Sequence, residues 1–100
     1  MQDRTTPIVV GDELKVEYDG YLAQQGAEAI FLHYGYGTQE WNSVQDIAMD
    51  KSRDGIWRAT IQADDMGPLN FCFHDENDNW DNNHGEDWHY TIHGDAARWF

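Results

Sequence analysis

Along this chain apolar side chains recur at every second position in short runs, and each run stops at a turn signal. Leu14, Val16 and Tyr18 alternate with charged neighbours as far as Asp19-Gly20, the pattern of a half-buried strand closed by a turn dipeptide. Ile30 to Tyr34 is apolar on both parities except at His33, which predicts a strand near the middle of a sandwich, ended by Gly35 and Gly37. Ile47 to Met49 offers a short strand, and Asp54-Gly55 turns the chain into Ile56 to Gln62, where Trp57, Ala59 and Ile61 share one inward face. Gly67-Pro68 interrupts the chain before Leu69, Phe71 and Phe73, and Trp88, Tyr90 and Ile92 supply the last alternating set. Nothing reads as an amphipathic helix. Six or so short strands and no helical period predict an all-β fold, an antiparallel sandwich rather than an α/β layer structure. A chain of 100 residues is the usual size of one domain with one modest core, so residues 1–100 are expected to form a single domain.

One segment breaks the alternation. Asp75 to Asp87, DENDNWDNNHGED, gathers six Asp or Glu and four Asn around one tryptophan; this is a loop composition, and loops are where specific chemistry concentrates. Its charge fits the whole chain, which carries 19 acidic against six basic residues for a formal net charge of -13. Such a field repels nucleic acid and anionic lipid, so neither is expected as a partner, while a neutral ligand such as a sugar meets no Coulomb penalty. Cys72 alone cannot form an internal disulfide, and its apolar surroundings make it a small buried hydrophobe rather than a reactive thiol. MQDRTTPIVV is not a secretory signal, and no segment is apolar enough to span a bilayer. If Met1 is the native start, a cytoplasmic location is expected.

Five tryptophans each need a place. Trp57 and Trp88 fall on the apolar parity of strands and are expected in the core. Trp41 and Trp80 lie among polar neighbours; they are either exposed aromatics marking a binding surface or lids folded back on the core edge. His33 reads as a core histidine or as a site residue beside the turn that carries Trp41. The acidic loop invites a metal only in part: Asp75, Asn77, Asn79 and Glu86 have the spacing of calcium-loop positions 1, 3, 5 and 12, but Trp80 stands where that loop needs glycine and the flanks are strands. His89 and His93 would stand roughly 13 Å apart on a strand and do not share a zinc ion. No metal and no cofactor is expected. No nucleophile motif, phosphate loop or zinc-protease signature is present, so no catalytic residue is assigned.

The run Phe71-Cys72-Phe73-His74-Asp75 followed by Asn79-Trp80-Asp81-Asn82-Asn83-His84-Gly85 resembles the starch-binding carbohydrate-binding modules of family 25, related to family 53. Phe31-Leu32-His33-Tyr34-Gly35, then Trp41, Met49, the stretch from Asp54 to Ile61, and an aromatic strand from Trp88 agree in the same order, so the similarity spans roughly 13–93. The resemblance implies an immunoglobulin-like β-sandwich that binds α-1,4-glucan (starch, glycogen or a malto-oligosaccharide) without cleaving it. It assigns carbohydrate binding to His33, Trp41 and Trp80, the two indoles stacking on glucose rings and the imidazole bonding a hydroxyl. Asn82 and Asn83 match the motif as well, and either touch the sugar or hold the loop's own backbone. The closing strand begins Asp87-Trp88 where the family tends to have Asn-Tyr. The tail 94–100 lies outside the similarity and ends on Trp99 and Phe100, which are candidates to dock on the sandwich, on a protein partner or on a second copy. The alternative to glucan binding is a protein-interaction or regulatory sandwich, with calcium in the 75–87 loop.

Overall fold

The computed structural model describes residues 8–94. In chain order the elements are β1 (Ile8–Val9), β2 (Glu13–Tyr18), α1 (Tyr21–Gln24), β3 (Ile30–Tyr36), β4 (Asn42–Ala48), β5 (Asp50–Lys51), β6 (Trp57–Gln62), β7 (Gly67–Asp75), β8 (Trp80–Asp81) and β9 (Trp88–His93). They form two sheets. The larger has the order β1-β9-β7-β3-β4, with β8 also paired to β7; the smaller has the order β2-β6-β5. Every pairing is antiparallel except β1 with β9, which is parallel, a departure from the antiparallel arrangement expected throughout.

Period-two alternation decides which side chains face the other sheet. Leu14, Val16 and Tyr18 from β2 and Trp57, Ala59 and Ile61 from β6 meet Ile30, Leu32, Tyr34 and Tyr36 from β3 and Leu69, Phe71 and Phe73 from β7 in one buried cluster. Leu32 and Leu69 are wholly buried, each stabilising the fold by about 1.5–3 kcal/mol through area removed from water. The smaller sheet does not cover the larger. Past the edge of β2 a cleft of about 310 Å³ remains, lined among others by Tyr18, Phe73, Asp81, Trp88 and Tyr90. Trp88 is therefore half-buried against the core's edge rather than enclosed in it as its parity suggests. Tyr18 closes the inner end of this cleft: it stacks on Phe73 at 4.1 Å, donates its hydroxyl to Asp81 at 2.6 Å and accepts from the Leu22 amide at 2.9 Å. Burial and the Asp81 carboxylate push the phenol pKa well above its usual value.

Several elements differ from the pattern's forecast. α1 is a single helical turn with only Leu22 buried; one turn is too short to write a helical period in the sequence. β4 starts at Asn42, well before Ile47, because it is an edge strand on which nearly every side chain is exposed and no alternation appears. Gly35 does not end β3, which continues through Tyr36. Two-residue strands β1, β5 and β8 gave no alternation to read. β8, which pairs with β7, lies inside the stretch read as loop. Residues 95–100, which carry the tail aromatics, are outside the described residues.

Candidate functional site

The outer face of the larger sheet, the side away from the core, carries a built constellation. On β3 the core takes Leu32 and Tyr34, so His33 between them points outward. On β7 the core takes Phe71 and Phe73, leaving Cys72 and His74 on the outer parity. Register sets the rest: His33 pairs with Asp46 on β4 and with Cys72 on β7, and His74 pairs with Phe31 on β3 and with Trp80 on β8. Side chains opposite one another on the same face stand close enough to interact.

They do. Asp46 Oδ1 accepts from His33 Nδ1 at 3.0 Å and from His74 Nε2 at 2.7 Å. A carboxylate offers no proton, so Nδ1 of His33 carries one, and the neutral ring keeps Nε2 as an acceptor. His74 lies between two rings, with Phe31 stacked at 4.9 Å and Trp80 at 4.4 Å. The second nitrogen of His74 faces the Asp75 carbonyl at 3.2 Å. Trp80 is 44% exposed, and its indole N–H is tied to Asp78 at 2.8 Å, so the ring's tilt is fixed from two sides.

Trp41 arrives from the β3–β4 turn and lies over Gly35. A Cβ at Gly35 would stand 2.8 Å from Trp41 Cβ and 3.2 Å from its ring, so the missing side chain is what admits the indole. The ring centroid is 5.8 Å from His33, tilted by 33°; Trp80 is 5.1 Å from the same imidazole at 87°. Indoles at such different angles to one ring are not coplanar, so the platform is angled. Beneath it Cys72 is 5% exposed, its thiol pushed up to about 12 chiefly by burial and then by Asp87, Asp46 and Asp81. It is a buried hydrophobe as expected, but in the platform floor rather than between the sheets.

The 75–87 segment is a hairpin return with an excursion. Asp75 accepts from the Asn77 and Asn79 amides and from the Asn79 side chain; those bonds hold its carboxyl below the usual carboxylate range. The chain then pairs as β8, loops out over 82–87 and rejoins β7 as β9. Asn82 Oδ1 accepts from Gly85 N, and Asn83 Nδ2 donates to the Asp87 carbonyl. Both asparagines thus brace the loop, in which Asn83, His84, Gly85 and Asp87 all have positive φ. His89 ties the loop to the sheet through Asn70 and the Glu86 carbonyl. Burial raises the Asp87 carboxyl, opposed by His89 and His33 nearby. Among the described residues no group of three His, Cys, Asp or Glu side chains is arranged to hold a metal ion.

The structure therefore brings His33, Trp41 and Trp80 together and adds His74 and Asp46, which the sequence reading missed. The profile of the starch/carbohydrate-binding module family 53 matches residues 14–71. The chain belongs to that family. The matched stretch contains His33, Trp41 and Asp46 and ends before His74 and Trp80. An alpha-amylase from Clostridium acetobutylicum is 35% identical over 82 residues, which are 81% of this chain and 10% of the amylase; the chain spans about a tenth of that relative's length. Two solved structures share the fold of this module. A CBM25 from a Bacillus halodurans amylase has a TM-score of 0.60 at 24% identity, covering 86% of this chain and 89% of its own. The CBM25-2 of a Paenibacillus polymyxa beta/alpha-amylase has a TM-score of 0.58 at 19% identity, covering 86% and 83%.

Proposed function

We propose that this module binds α-1,4-glucan chains on the angled platform of Trp41, His33 and Trp80 and does not cleave them. The observation that carries the reading is that two tryptophans 39 positions apart in the chain both lie against one outward-facing imidazole. A glucose ring has a C–H face that packs on an indole and hydroxyls at its rim that need partners. Two inclined indoles suit a chain that curves from one ring to the next, as an α-glucan does. Nε2 of His33 accepts a hydroxyl proton between them, with Asp46 holding the ring in that tautomer. Family membership and the amylase relative support a glucan as the ligand. The role assigned to the site is retention of polymer.

The platform is pre-shaped but shallow, so few atoms leave water and the expected dissociation constant is on the order of 10 μM to 1 mM. Titration of ¹⁵N-labelled protein with maltoheptaose tests this: the indole N–H signals of Trp41 and Trp80 should move while that of Trp57 stays. Retention on insoluble starch should be unaffected by chelator. Retention that requires calcium and no glucan, or an unmoved pair of indole signals at millimolar sugar, would overturn the reading.

A further inference from the structure

Beyond the platform, on the far side of Trp80, lies a groove of about 270 Å³ lined by Tyr21, Leu22, Gln25, Asp75, Asn79 and Trp80. We infer that it is an additional glucose subsite, with Tyr21 as a third stacking ring and Gln25 as the hydrogen-bonding group, engaged only by the longer chains. The inference rests on the glucan reading of the platform.

Three observations carry it. The first is how α1 is built. Leu22 is 2% exposed and anchored to the Tyr18 hydroxyl through its amide, and the turn closes with Gln25 N bonded to the Tyr21 carbonyl. Burying Leu22 on a single helical turn leaves its neighbour Tyr21 facing outward, where it is 62% exposed, the most open of the large hydrophobic side chains among the described residues. The Gln25 side chain is also exposed, and among the described residues no hydrogen bond engages it. A ring and a free amide on one groove wall are the two components a sugar residue uses.

The second is direction. Trp41 sits over Gly35, His33 comes next, and the Phe31–His74–Trp80 stack follows, all in line toward the N-terminal end of β3. Four strand residues cover about 13 Å, and that line runs out at the end of the sheet where α1 lies against β8. The third is continuity, because Trp80 is a wall of the groove and a member of the platform at once. Asn79, which also lines the groove, is already organised: its side-chain nitrogen donates to Asp75, which leaves its Oδ1 as an acceptor. A short malto-oligosaccharide can lie within the platform, whereas a longer one passes Trp80 and reaches Tyr21.

Calorimetry with maltotriose and maltoheptaose on the parent protein, Tyr21→Ala, Tyr21→Phe and Gln25→Ala tests this. In Tyr21→Ala the affinity for maltoheptaose should fall roughly fivefold or more, with that for maltotriose changing less than about twofold, so the advantage of the longer ligand shrinks. Tyr21→Phe should retain most of that advantage, and the Gln25 side-chain amide signals should shift with maltoheptaose. Because Tyr21 is exposed, folding is not at stake, and a thermal melt confirms it. If Tyr21→Ala binds both sugars as the parent does, the subsite is wrong while the platform stands. If the parent binds neither sugar, the platform reading itself fails.

Discussion

β3 and β7 present aromatic residues on both faces, and the two faces use them differently. Inward, Tyr34, Tyr36, Phe71 and Phe73 join Trp57 in a cluster in which each is at most 7% exposed. There ring packing stabilises the fold, and any hydroxyl is satisfied locally, as Tyr36 is by the Asp64 amide. Outward, Trp41 and Trp80 share space with His33, His74 and Asp46, and the polar atoms bind one another. Rings inside fill volume; rings outside are held at an angle and stay partly exposed.

Substitution should separate these roles, beginning with the largest effect. Trp57→Ala removes a buried indole, 5% exposed on β6, and should cost about 3–5 kcal/mol of stability, read as a lowered denaturant midpoint. Trp80→Ala or Trp41→Ala should leave the midpoint nearly unchanged and weaken maltoheptaose binding by about 1–3 kcal/mol. Equal loss of folding in all three variants would erase the distinction between the faces.

How much of this the sequence revealed follows the same division. The core was legible because burial imposes parity: Leu14, Val16, Tyr18, Trp57, Ala59 and Ile61 alternate with exposed residues on two strands that end up paired. The outer face imposes no such parity. Trp41, His33 and Trp80 were found through the family resemblance, while composition alone left Trp41 and Trp80 divided between platform and lid. His74 was legible in principle, since it shares the outward parity of Cys72 in Phe71-Cys72-Phe73-His74, but seeing it beside His33 required knowing that β3 pairs with β7. Asp46 was hidden altogether, because β4 is an edge strand with no alternation to mark it. Gly35 was read as a stop when it is a seat.

Gly35 offers an intermediate perturbation that reaches the outer face through the backbone. In Gly35→Ala the new methyl meets Trp41 at its Cβ, which cannot swing aside as a side-chain tip can. Over-packing of this kind costs typically about 1–3 kcal/mol when it occurs in a core; here part of it is relieved by lifting the indole off the sheet. Affinity for maltoheptaose should drop by about fivefold, near 1 kcal/mol, and the Trp41 indole signal should move in the sugar-free protein. An unmoved signal with undiminished binding would mean that Gly35 is not what seats the ring.

The smallest effect is the most specific. Asp46 need not touch the ligand to matter; it is a positioning residue that acts through His33. Its carboxylate can only accept, so it forces the proton onto Nδ1 and leaves Nε2 with a lone pair toward the ligand. In Asp46→Asn the amide can turn either its oxygen or its nitrogen to the ring, and His33 is free to exchange tautomers. The imidazole stays in place on geometric grounds, yet the acceptor is present only part of the time, so binding should weaken by about two- to fivefold, under about 1 kcal/mol. Long-range ¹⁵N spectra of the imidazole report the tautomer directly, before any sugar is added. A merely structural Asp46 would lower stability and leave those nitrogen shifts alone. If instead the shifts show Nε2 protonated in the parent, His33 is a donor toward the ligand, and the hydroxyl it engages must accept rather than give the proton.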